Sequence, residues 1–205
     1  MSSRGLLERT DRNAWRDIRS PLTVEDLRDM LVAPSHGRIA FPSKPYDEVY
    51  PGIYIGDGWT AKDVVILRAL GVTAVLNAAS GIGQPYLVDT DDFFYERRGL
   101  PVRFMAVRAL DADWYHLDDW FQVAADFIHD SRRHGKVLVH CVQGLSRSAT
   151  LVIAYLMIKL HMPLSQALQT VRARREIFPN DGFLQQLIRL NDQLMGSRRV
   201  NVSWL

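Results

Sequence analysis

The chain has 205 residues and a single cysteine, Cys141. One cysteine excludes any disulfide within the chain, which suits a reducing compartment. No apolar run approaches the roughly 18 residues that a membrane-spanning helix needs. The start, Met1-Ser2-Ser3-Arg4, lacks a secretory apolar core and carries Ser2 where myristoylation requires glycine. A net charge of +2 is too small to imply nucleic-acid binding by itself. Its basic excess is local, at Arg97-Arg98 and at Arg172, Arg174 and Arg175. His36, His116, His129, His134 and His161 form no pair with metal-ligand spacing beside a second carboxylate or thiol, so no metal is expected, nor any other cofactor. The reading is a soluble protein of the cytoplasm, the nucleus or both, with no membrane or nucleic-acid partner.

What is present is concentrated around the cysteine. The run His140-Cys141-Val142-Gln143-Gly144-Leu145-Ser146-Arg147-Ser148 follows the apolar stretch 136–139 and precedes a long apolar segment from Ala149. A strand thus ends at Cys141, a helix begins near Arg147, and a short loop joins them. The loop's N–H groups can converge on one point, and the helix adds its positive end there. Five residues between Cys141 and Arg147 form a cup around a tetrahedral oxyanion. Gly144 permits the turn, and Arg147 closes the cup with a fork that matches two phosphate oxygens. Ser148 can place its hydroxyl near the sulfur. In such surroundings a thiol ionises near neutral pH and becomes a nucleophile beside a bound phosphate.

Along the chain, residues 1–20 read as a polar, Arg-rich tail. Thr23-x-x-Asp26 opens a helix through about Leu31, and residues 32–51, with Pro42, Pro45 and Pro51, read as an extended linker wrapping the domain. Strands are expected at Gly52–Gly56, Thr73–Asn77, Val102–Val107 and Lys136–His140. Helices are expected at Thr60–Leu70, Leu117–Arg132, Ser148–Leu160, Pro163–Arg174 and Gly182–Leu194. Residues 80–92 read as loop and 196–205 as a loose tail. Strands alternating with helices predict an α/β layer fold with a mostly parallel central sheet, as one domain over 21–195. The cysteine loop then lies at a strand's carboxyl end, where such sheets place ligands.

The cysteine loop resembles the signature of the cysteine-dependent protein tyrosine phosphatases, in the form His140-Cys141-x-x-Gly144-x-Ser146-Arg147-Ser148 of their dual-specificity branch. Asn77-Ala78-Ala79, Ala109-Leu110-Asp111, the segment 151–157 and the segment 175–184 are similar to the small vaccinia H1-related (VHR-like) phosphatases, over about residues 22–194. The resemblance implies a dual-specificity phosphatase acting on phosphotyrosine and on phosphoserine or phosphothreonine, with phosphoprotein substrates, MAP kinases among them, as a monomer or weak homodimer. The alternatives are a phosphatase of lipid or RNA phosphates, or a phosphoprotein-binding module with little activity.

Thiolate catalysis also needs a carboxylic acid on a loop near the cup. Asp111 lies between the strand 102–107 and the helix at Leu117, and the resemblance gives it the role of general acid. Asp113 is the second choice, and a solvated aspartate or helix cap is the structural alternative. The resemblance makes Cys141 the nucleophile, with Arg147, Asp111 and Ser148 catalytic. The phosphate meets Val142, Gln143, Gly144, Leu145, Ser146 and Arg147. His140 and Asn180 support the loop, although Asn180 equally suits a helix cap. Arg175 corresponds to an arginine that can receive a second phosphate or an acidic substrate side chain. Gln143 and Leu145 stand where the VHR-like pattern has an acid and an aromatic, which puts substrate preference rather than chemistry in question.

Overall fold

Alternation along the strands builds two cores, one on each face of a sheet. In β5 (Lys136–His140) Val137 and Val139 pack into one apolar cluster and Leu138 into the other. In β2 (Ile53–Gly56) Ile53 and Ile55 are divided from Tyr54 in the same way, and in β3 (Val72–Asn77) Ala74 and Leu76 from Val75. This is the two-residue period of a strand buried on both faces. The computed structural model describes residues 21–202, with side chains through 196. The expected tail at 1–20 lies outside the described residues.

With β1 (Tyr46–Tyr50) and β4 (Arg103–Ala106) the sheet order is β1-β2-β5-β3-β4. All pairings are parallel except that of β1, an antiparallel edge strand. The larger cluster holds α1 (Val24–Val32), α5 (Phe121–Arg132), α6 (Arg147–Leu160), α7 (Leu164–Arg172) and α8 (Asp181–Val202). On the other face lie α2 (Gly58–Lys62), α3 (Val64–Leu70) and α4 (Asp92–Glu96). The apolar side chains of β5 are fully buried, each contributing on the order of 2 kcal/mol. The loop that follows β5 therefore starts from the buried central strand of the sheet.

Four local expectations need correction. The linker 32–51 contains β1, which is only five residues long and flanked by Pro45 and Pro51; proline is tolerated at such an edge. The helix expected over Thr60–Leu70 is broken at Asp63, whose carboxylate accepts from the amides of Val65 and Ile66 and starts α3 afresh. The loop 80–92 runs into α4, capped by Asp91. The loose tail from 196 is helical through Val202, because no proline follows Gly196 and one glycine weakens a helix without ending it.

The β4–α5 connection is seated on the first turn of α8. The Gly182 amide faces Asp113 Oδ1 at 3.5 Å, and a Cβ on Gly182 would come within 1.9 Å of the Asp113 carbonyl oxygen. Gly182→Ala should therefore destabilise the fold by about 1–3 kcal/mol through overpacking, lowering Tm by roughly 2–4 °C per kcal/mol for a chain of this size. Gly196→Ala, in the same helix with open space around it, should leave Tm unchanged or raise it. Equal Tm shifts for the two in thermal melts would show that Asp113 does not rest on Gly182.

Candidate active site

After β5 the chain turns through residues 141–146 into α6, and the carbonyls of this turn are all held from outside. His140 Nδ1–H donates to the Cys141 carbonyl (3.3 Å), the Gly58 amide to Val142 (3.0 Å) and the Phe178 amide to Leu145 (2.9 Å). Arg175 donates through Nη2 to Gln143 (3.1 Å) and through Nε to Gly144 (2.8 Å). The Ser146 carbonyl takes the amide and hydroxyl of Thr150. In a trans peptide N–H and C=O point in opposite directions. Holding the carbonyls outward thus turns the amides inward, toward Cys141. Gly144 is required here twice over: its φ is +65°, and a Cβ would lie 2.6 Å from the Gly56 carbonyl oxygen.

Cys141 Sγ lies at the base of this cup, accepting from the Gly144 amide (3.2 Å) and 3.4 Å from Ser148 Oγ. Burial pushes the thiol pKa up. The Arg147 guanidinium, the Ser148 hydroxyl and the Ser148 and Leu145 amides outweigh burial and hold it below its ordinary value. His140 is fully buried, which pushes its pKa down to about 4, so the ring is neutral. Its Nδ1–H bond leaves Nε2 buried without a partner. It supports the loop and carries no proton to the site.

Arg147 is almost wholly buried. Its Nη1 donates to the carbonyls of Tyr86 (2.9 Å) and Ala109 (3.1 Å), tying two neighbouring loops to the cup. The Tyr86 loop is itself held by Asn77, which bonds Val88 and Thr90. Arg147 Nε is buried, lacks a hydrogen bond and lies 3.5 Å from Asp111 Oδ2. Asp111 Oδ1 accepts from Ser146 Oγ (2.7 Å) and Asn180 Nδ2 (2.9 Å). Asn180 also caps α8, its Oδ1 accepting from the Phe183 amide, and its backbone amide faces Ser146 Oγ of the cysteine loop at 3.4 Å. Asp113 faces Gly182 instead and is not among the residues that line the cavity.

A cavity of about 300 Å³ opens over the sulfur, lined by Pro85, Tyr86, Asp111, Cys141, Val142, Gln143, Leu145, Ser146 and Arg147. Gly144 and Ser148 lie against the sulfur beneath it. Arg175, expected to receive a second phosphate or an acidic substrate side chain, is corrected: its side chain is fully buried and absent from the lining. Besides the two loop carbonyls it donates to the Lys44 carbonyl (3.1 Å) and to Asp47 Oδ2 (2.8 Å). Four of its five N–H groups are thus engaged, and full burial keeps the fifth from a second phosphate. The sequence reading missed Asp47 and the second role of Ser146, whose hydroxyl anchors Asp111. The burial of Ser146 gave no sequence signal, and Asp47 sat in apparent linker. Among the described residues no group of three His, Cys, Asp or Glu is placed to hold a metal ion.

The family model for the dual specificity phosphatase catalytic domain matches residues 53–193. Dual specificity protein phosphatase 13B of Homo sapiens is 45% identical over 150 residues, covering 72% of this chain and 73% of that protein. Dual specificity protein phosphatase 26 of Homo sapiens is 46% identical over 152 residues, covering 72% and 68%. The crystal structure of human DUSP28 aligns with a TM-score of 0.64 at 26% identity, over 76% of this chain and 99% of that one. That of a mouse putative dual specificity phosphatase complexed with zinc tungstate aligns with a TM-score of 0.62 at 27% identity, over 75% and 91%. The matched segment carries the four parallel strands, the cysteine loop and the acid-bearing loop alike: this chain belongs to the dual specificity phosphatase family, with the α/β fold of the cysteine-dependent phosphatases.

Proposed function

We propose that this enzyme hydrolyses phosphate monoesters of tyrosine, serine and threonine in proteins through a cysteinyl-phosphate on Cys141. The observation that carries this reading is a thiol with lowered pKa at the base of an open cavity that Asp111 also lines. Sγ attacks phosphorus, the P–O bond breaks, and the Asp111 carboxyl protonates the leaving oxygen. Water then attacks the thiophosphate while Asp111 takes its proton, releasing inorganic phosphate and the thiolate. The Ser148 hydroxyl stabilises the departing thiolate, and the inward amides with Arg147 Nε–H stabilise charge on the phosphoryl oxygens.

The cavity has room for both aryl and alkyl monoesters. Among the described residues Arg147 is its one basic lining residue, which favours a single phosphate over a polyphosphorylated headgroup. Phosphorylated kinases, MAP kinases among them, are the substrates that the resemblance suggests. A working thiolate needs reducing surroundings, and the cytoplasm and nucleus supply them. There the enzyme acts in signalling as a monomer or weak homodimer.

The groups around Cys141 Sγ lower its pKa, and a free thiol ionises at about 8.5. The rate of iodoacetamide alkylation against pH should have its midpoint below that value, and Cys141→Ser should lose turnover while still binding inorganic phosphate. A midpoint at or above 8.5, or residual turnover above about 1% of the parent, would overturn the nucleophile.

Arg147→Lys keeps the charge and loses the fork, so about 3–4 kcal/mol of transition-state stabilisation is at stake. Steady-state kinetics should show kcat down by two to three orders of magnitude; a loss under about tenfold contradicts the assignment.

Asp111→Asn should slow alkyl phosphates far more than activated aryl phosphates, whose leaving groups need little protonation. Asp113→Asn should leave that ratio alone. The reverse pattern would move the acid to Asp113.

A further inference from the structure

We propose that Arg175 is a positioning residue of the phosphate cup: by holding the Gln143 and Gly144 carbonyls on the outside, it aims the Gly144 and Leu145 amides at the sulfur and the bound phosphate, and Asp47 makes edge strand β1 part of that machinery. The inference rests on the proposed chemistry at Cys141 and adds a device behind it. Two successive peptide planes are involved. The Gln143 carbonyl belongs to the same plane as the Gly144 N–H, and the Gly144 carbonyl to the same plane as the Leu145 N–H. A trans plane cannot turn its N–H inward without turning its C=O outward. Nη2 and Nε of one rigid guanidinium hold both carbonyls, at 3.1 and 2.8 Å. On the other side the Gly144 amide meets Sγ at 3.2 Å, and the Leu145 amide adds to the lowering of the thiol's pKa.

The rest of the guanidinium is anchored outside the loop. Nη1 donates to Asp47 Oδ2 and to the Lys44 carbonyl. The Asp47 carboxylate compensates a charge that is otherwise buried, and it fixes the plane of the fork. Gly144 adds a second constraint: its missing Cβ is what lets Arg175 Nη2 and the Gly56 carbonyl close in behind the loop, since a Cβ there would lie 2.7 Å from Nη2. The charged and titratable groups around the sulfur are Arg147, neutral His140 and, across the cavity, Asp111. Arg175 acts on the sulfur through the peptide planes it holds.

The test is the alkylation midpoint of Cys141 in Arg175→Lys and Asp47→Glu, measured beside Tm and the KM and kcat of the full chain. Both variants keep the charge and spoil the geometry. Lysine cannot hold two carbonyls and a carboxylate in one plane, and glutamate shifts the carboxylate by one methylene. In each, the midpoint should rise by about half to one pH unit as the amides lose their aim, with kcat falling about tenfold or more and KM changing less. Superimposable alkylation profiles in folded Arg175→Lys and parent would overturn the proposal, as would a fall in Tm with no shift in midpoint. Should Arg175→Lys fail to fold, Asp47→Glu decides by the same criterion. A parent chain without a lowered midpoint would instead defeat the proposed function itself, so the two failures are distinct.

Discussion

The site depends on one constraint, the outward capture of successive carbonyls between Cys141 and Leu145. Each carbonyl has its own donor, and the donors come from β5, α2, the segment before α8 and the buried Arg175. An isolated turn of this length has no reason to point its amides at one spot, because N–H groups brought together repel. The convergence is imposed by the surrounding fold, which compensates the carbonyls and leaves the amides uncompensated until an anion arrives. The Cys141 sulfur is the first anion to exploit this arrangement and a phosphate the second. On the proposed mechanism the same dipoles that lower the thiol's pKa also bind the substrate's phosphate.

Asp111 shows how the second half of the chemistry is attached to the first. Its carboxylate is held by Ser146 of the cup and by Asn180 at the head of α8, with the Arg147 guanidinium beside it. Arg147 also bonds the Ala109 carbonyl two residues earlier. The acid-bearing loop is thus positioned by the phosphate cup itself. A change that disturbs the cup is expected to disturb the acid, which argues for measuring Arg147 and Asp111 variants against each other rather than adding their effects.

Much of this was legible in sequence, for physical reasons. The run from Lys136 to Leu160 declares a strand, a loop and a helix because β5 and α6 are buried nearly all round, and the loop between them has few ways to be built. Parallel strands announced themselves as short apolar runs for the same reason. Arg175 was misplaced because a sequence shows an arginine near a helix end and nothing of what surrounds it; arginines are mostly exposed, and this one is not. Its partner Asp47 is 128 positions away, in a five-residue strand between prolines, where neither periodicity nor propensity signals burial. The division of the helix at Asp63 and the extension of α8 past Gly196 are the ordinary cases of local chemistry deciding an element's end.

Asp47 and Lys44 lie ahead of Ile53, where the family match begins. The matched segment contains Cys141, Arg147, Asp111 and Ser148, and by residue pattern the chemistry looks complete within it. The buried cation says otherwise. Without β1, Arg175 would keep two carbonyl acceptors and lose its carboxylate, leaving a guanidinium uncompensated beneath the cup, where a lone buried charge costs several kcal/mol. Such a charge does not stay put. It moves toward water or draws water in, and either movement releases the two peptide planes that it holds. On the role proposed for Arg175, the catalytic unit would extend from its counter-ion on β1, at or before Lys44.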